Sequence, residues 1–226
     1  MHSLFIIVIG KILAILFGLY YFKSLSIAFR LILFQVVLAL ICESFARYLL
    51  IRHSFHYNNL WIFNWYLLCE MWLAGLAGKS LISNKIIKRI IPYLLIALTV
   101  LWAVNIYVEG MVNFANWCFI GSSIILVAIY IVVLFEIALF KSQNIFSQPA
   151  FWLSLSIVLF FGCDLPYFGL RNYLISHNLN SLELKLYIIN SVLNFIRYPL
   201  IAISFIFCGQ NASKNAPLKL HSNVSK

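Results

Sequence analysis

Apolar residues run along this chain in long blocks, broken by short polar connections. A membrane-crossing helix needs about 20 mostly apolar residues. Seven blocks meet that length: 4–22, 26–48, 57–79, 88–108, 117–140, 150–172 and 186–208. The pattern predicts an all-α membrane protein, a single seven-helix transmembrane domain over 1–210. The polar remainder, 211–226, rich in Ser, Asn and Lys, reads as a disordered cytoplasmic tail. The first block carries Lys11 inside its apolar run and has no charged start, so it reads as a span rather than a secretory signal peptide.

Composition sharpens the class. Of 226 residues, 64% are hydrophobic and 10% charged. Soluble domains are roughly half apolar and about a quarter charged. A soluble enzyme, a nucleic-acid-binding domain and a disulfide scaffold are thereby excluded. The five cysteines, Cys42, Cys69, Cys118, Cys163 and Cys208, all fall within apolar blocks and match no metal or haem spacing, so they read as small packing residues.

The net charge of +10 changes the picture only through its placement. Ten Lys and Arg residues collect on one side of the predicted spans and four on the other. Positive residues favour the cytoplasmic side. The N-terminus is therefore expected outside and the C-terminus in the cytoplasm, in a multi-pass protein of a bacterial inner membrane. The cytoplasmic loop with Lys79, Lys85, Lys88 and Arg89 is the expected contact for a protein partner or anionic lipid.

A weak internal repeat runs through the chain. Phe22-Lys23-Ser24 closes the first span and Phe140-Lys141-Ser142 the fifth. Cys42-Glu43 lies late in the second and Cys163-Asp164 late in the sixth. Leu60-Trp61-Ile62-Phe63-Asn64 opens the third and Leu186-Tyr187-Ile188-Ile189-Asn190 the seventh. Offsets of 118, 121 and 126 keep these matches in order. They predict two parallel three-helix repeats joined by span 4, a 3+1+3 arrangement. In topology this resembles the group containing the SWEET sugar transporters, the KDEL receptors and the microbial rhodopsins. The pattern is also similar to that of uncharacterised seven-helix membrane proteins of bacteria. A rhodopsin holds retinal on a lysine of its last span. This chain has Asn194 and Arg197 there, so no such cofactor is expected. Paired prolines typical of SWEET carriers are missing, since Pro166 has no counterpart in span 2.

The polar residues inside the spans carry the functional expectation. A charge at mid-bilayer costs about 2.5–3.5 kcal/mol on insertion scales, so it faces the bundle interior and seeks a partner. In span 3, Asn59, Tyr66 and Glu70 share a stripe opposite Trp61, Trp65 and Trp72, which face lipid or a neighbouring helix. In span 7, Tyr187, Asn190, Asn194 and Arg197 recur at i, i+3, i+7 and i+10, one continuous face. Arg197 lies too deep to reach water, and Glu70 is its expected acid, ahead of Asp164 and Glu43. Glu43, Asn64, Asp164 and Asn190 lie at similar depth in the outer half. Together with Glu70, Tyr187, Asn194 and Arg197 they are the candidate binding residues of an outward-facing polar vestibule. Pro166 would free a carbonyl beside Asp164. The competing reading makes the same groups interhelical glue. His53 and His56, at i and i+3 in a loop, are a weak metal or pH-sensing pattern and no metal site is assigned.

These features point to a receptor or sensory module acting through a partner. A small secondary transporter of a polar solute is the alternative, and a membrane-embedded enzyme the second. No nucleophile elbow, HExxH or phosphate loop is present, and an enzyme is the less expected outcome. Gly75 and Gly78 in span 3 are small enough for close helix contact, but do not fix an oligomeric state.

Overall fold

The computed structural model describes residues 2–52, 58–140, 144–177 and 179–215, with side chains throughout except at 2–6, 140, 171–173, 175, 176, 180, 183, 187, 214 and 215. The described residues form seven α-helices in order: α1 (His2–Tyr20), α2 (Ile27–Arg52), α3 (Leu60–Leu81), α4 (Lys85–Glu109), α5 (Asn116–Phe140), α6 (Pro149–Ser176) and α7 (Asn180–Asn215). In lipid every backbone polar group must be satisfied within its own segment, and a helix does so. Six helices, α2 to α7, are long and apolar enough to cross a membrane. The first expected span, 4–22, is matched by α1, which carries a shorter apolar stretch over Ile7–Tyr20 among the residues with described side chains.

Helix ends are set by identifiable side chains. Asn84 caps α4, its side-chain oxygen accepting from the N–H groups of Ile86 at 2.9 Å and Ile87 at 3.3 Å. Gly110 ends α4 at φ +80°, a conformation glycine adopts without strain. Pro149 opens α6, where its missing N–H has no intrahelical acceptor to serve. The last helix runs to Asn215, so the first residues of the expected disordered tail are helical. The rest of the tail lies outside the described residues.

Six helices close a ring, with α1 packed between α7 and α2, α2 on α3, α3 on α5, α5 on α6 and α6 on α7. The fourth helix lies outside it, against α3 and α5. Small residues of α3 allow this double contact. A Cβ on Gly75 would stand 2.6 Å from Leu95 of α4, and one on Gly78 2.5 Å from Ile129 of α5. The two glycines therefore serve contacts within the chain. Of the tryptophan stripe, Trp72 donates to Thr99 Oγ1 at 2.9 Å and Trp65 packs on Trp102 at 4.9 Å, so these two face α4, while Trp61 packs on Phe45 of α2. Outward surfaces are apolar, with Ile27, Phe34, Val100, Phe135 and Leu139 more than half exposed. Such a surface fits a lipid bilayer and no aqueous monomer.

Candidate functional site

The polar side chains converge inside the ring. Arg197 of α7 donates through Nη2 to Glu70 Oε1 of α3 at 2.8 Å, and both residues are buried. The same oxygen accepts from Gln35 Nε2 of α2 at 2.9 Å and from the Tyr66 hydroxyl at 3.0 Å. Three donors on one oxygen offset much of the cost of burying the acid. The Arg197 guanidinium also lies 4.2 Å from the Phe160 ring centre and 5.2 Å from that of Phe161. A desolvated cation over an aromatic face gains about 2 kcal/mol or more. The pair expected from helical phase is therefore present.

A second ion pair lies beside it. Lys11 of α1, only 1% exposed, donates to Glu43 Oε1 of α2. Arg47 approaches the other Glu43 oxygen from the half-exposed rim at 3.9 Å. The Lys11 ammonium also sits 5.1 Å from the Tyr198 ring centre. Sequence reasoning noted Lys11 within a span and did not place it in the site, although the demand for a buried partner applies to it as to Arg197. Gln35 was missed as well. It lies two turns before Glu43 on the same face of α2, and that shared face was the available signal.

A third acid has different company. Asp164 of α6 is fully buried, and its Oδ1 accepts from Asn190 Nδ2 of α7 at 2.8 Å. Its Oδ2 has no hydrogen-bond partner, and among the described residues no cation lies within ion-pair distance of it. Among the described residues, Asn194 Oδ1, Arg197 Nε and Glu43 Oε2 likewise have no hydrogen-bond partner. These residues line a cavity of about 190 Å³ together with Lys11, Glu70 and a wall of Phe63, Phe114, Phe119, Phe160 and Phe168. All six ring helices contribute to that lining and α4 does not. Phe114 belongs to the α4–α5 connection, Phe63 to the first turn of α3 and Phe168 to the last turns of α6. The cavity therefore lies toward the end of the bundle that bears the α2–α3, α4–α5 and α6–α7 connections.

Of the expected site residues, Glu43, Glu70, Asp164, Asn190, Asn194 and Arg197 meet at this cavity. Asn64 does not line it. Its side chain donates to the Met111 carbonyl at 3.1 Å and the Asn113 carbonyl at 2.8 Å, and accepts from the Ala115 N–H at 3.0 Å. It is a latch on the α4–α5 connection, and its own carbonyl accepts from Trp102 Nε1 at 3.0 Å. The Tyr187 side chain lies outside the described residues, as do His53 and His56. Cys42 lines the cavity, Cys118 and Cys208 are buried, and Cys69 and Cys163 face outward, so packing inside the bundle accounts for only part of the cysteine set. Among the described residues, no group of three or more His, Cys, Asp or Glu side chains is placed to hold a metal ion.

At the opposite end, Glu136 of α5 accepts from the N–H groups of Ser83 at 2.6 Å and Asn84 at 3.2 Å. This ties down the connection whose neighbours Lys85 and Arg89 are exposed and Lys79 and Lys88 half-buried. No known protein family, no curated protein and no solved structure matches this chain.

Proposed function

We propose that this protein is a membrane receptor or sensory module that takes a small polar ligand into the ring cavity. The observation that carries the reading is a cavity of about 190 Å³ with Asp164 Oδ2, Asn194 Oδ1 and Arg197 Nε unpartnered among its lining residues. Gln35 Oε1, Asn105 Nδ2, Asn116 Oδ1 and Ser154 Oγ are unpaired outside the lining too, so the support comes from the gathering of such atoms around one cavity, each costing about 1–3 kcal/mol if left unsatisfied. In this reading the cavity faces outside, as the Lys/Arg asymmetry directs. Beneath it the bundle is close-packed around Ile32, Met71, Leu126, Tyr130 and Phe205, all fully buried. A packed ring interior directly below the cavity suits a protein that relays occupancy through helix shifts rather than passing the ligand through. The basic Lys79–Arg89 connection, held by Glu136, is then the surface for a cytoplasmic partner. The placing of α4 outside a six-helix ring supports the 3+1+3 repeat.

One observation favours transport as a second reading. Pro166 and Pro199 interrupt α6 and α7 two residues after Asp164 and Arg197, so both site-bearing helices lack a backbone hydrogen bond next to the site.

The test uses the full chain in lipid nanodiscs. Thermal unfolding is followed with a panel of small amines, amino acids, sugars and carboxylates, for wild type and for Cys42→Trp, which fills the cavity without altering its charges. A compound that raises the wild-type midpoint and not that of the variant supports the binding reading. A panel without effect on either sinks it. Radiolabelled uptake of that compound into proteoliposomes, if found, favours the carrier over the receptor.

A further inference from the structure

The cavity lining already holds two cations, Lys11 and Arg197, and the manner in which Arg197 is held is informative. The Arg197 guanidinium lies between the Glu70 carboxylate and the Phe160 ring. One turn along the same face of α6 from Phe160 stands Asp164, and one turn further Phe168. All three side chains line the cavity. Phe168 belongs to a cluster with Phe119 at 4.2 Å and Phe114 at 5.3 Å between ring centres, and both of these also line the cavity. Acid and ring are thus repeated at Asp164 and Phe168, without a protein cation between them among the described residues.

Charge balance points the same way. The lining holds Glu43, Glu70 and Asp164 against Lys11 and Arg197. Glu43 pairs with Lys11 and, at the rim, with Arg47, and Glu70 pairs with Arg197, which leaves Asp164 with only the neutral Asn190 amide among the described residues. The partnerless oxygens of Asp164 and Asn194 are acceptors, so they suit a ligand that brings N–H donors. An ammonium group gains from both a carboxylate and aromatic faces. A bare metal ion prefers a shell of several oxygen ligands, which a phenylalanine wall does not provide.

We propose that the cavity recognises a small organic ammonium ion, with its charge on Asp164, a hydrogen bond to Asn194 Oδ1, and its carbon body against Phe114, Phe119 and Phe168. The proposal rests on the binding function above and names its ligand class.

The experiment compares matched probes on the full chain in nanodiscs: butylammonium and 2-phenylethylammonium, the corresponding alcohols and carboxylates, and sodium chloride at equal ionic strength. Calorimetric titration and thermal unfolding are read together. The expected result is binding of the two ammonium ions, with at least tenfold weaker binding of alcohols and carboxylates and no shift from sodium. Asp164→Asn keeps the acceptor for Asn190 and removes only the charge, so it should lower ammonium affinity at least tenfold while the unliganded protein melts near the wild-type midpoint. If Asp164→Asn fails to fold, Phe168→Leu provides the second arm and should weaken 2-phenylethylammonium more than butylammonium. Alcohols or carboxylates binding as well as the ammonium ions, or an equal shift from sodium, overturns the ammonium assignment and leaves a binding cavity of other chemistry. No binding by any probe, together with no effect from the broader panel, overturns both readings.

Discussion

Arg197 and Glu70 stand 127 residues apart in the chain and 2.8 Å apart in the fold. Their contact joins α7 to α3 across the ring, and Gln35 on the same Glu70 oxygen brings in α2. The bundle is therefore pinned at its centre by a polar knot.

The knot makes a stability prediction. Breaking a buried ion pair from one side strands a charge and typically costs about 3–5 kcal/mol. Arg197→Ala should lower stability by that order in detergent or bilayer unfolding. Glu70→Gln combined with Arg197→Gln should recover part of the loss, since neither side then carries a stranded charge. Additive effects in this double-mutant cycle would show that the two residues are not coupled.

Asn64 makes a local prediction. It contributes three side-chain hydrogen bonds to the Met111–Ala115 segment. Each is worth about 1 kcal/mol net. Asn64→Ala should therefore cost ~2–3 kcal/mol. Hydrogen exchange should rise across residues 110–115, with much less change in the Lys79–Arg89 connection at the far end. Unchanged exchange at 110–115 would contradict the latch.

Close packing of α3 on α5 predicts intolerance at Gly78. A Cβ there would stand 2.5 Å from Ile129 Cγ2, inside any normal contact. Overpacking of this kind costs about 1–3 kcal/mol. Gly78→Ala should lower the melting midpoint, and Gly78→Ala with Ile129→Ala should restore part of it. A neutral single variant would mean the two helices can separate freely.

Orientation is open to direct labelling. Ser83 and Val112 are exposed at opposite ends of the bundle. In whole cells, Val112→Cys should react with a membrane-impermeant maleimide and Ser83→Cys only after permeabilisation. The reverse order would place the cavity toward the cytoplasm and remove the outward-facing vestibule.

Hydropathy is a local property, and lipid imposes on each apolar segment the same local solution, a helix that satisfies its own backbone. For that reason the number of helices, the boundaries of all but α7 to within a few residues, and the apolar outer surface follow from the chain alone, while α7 begins six residues before and ends seven after the expected 186–208. The Glu70–Arg197 pair was also legible, because a mid-span charge must find an opposite charge and helical phase leaves few candidates. Other assignments depended on rotation and depth, which no single segment specifies. Asn64 and Asn190 open their spans in matching positions, yet Asn64 turns to the α4–α5 connection while Asn190 donates to Asp164. Lys11 and Gln35 became part of the site because α1 and α2 pack with those faces inward. That Asp164 is the cavity acid without a paired cation among the described residues was decided by tertiary structure: pairing is competitive, and Glu43 and Glu70 take the two buried cations.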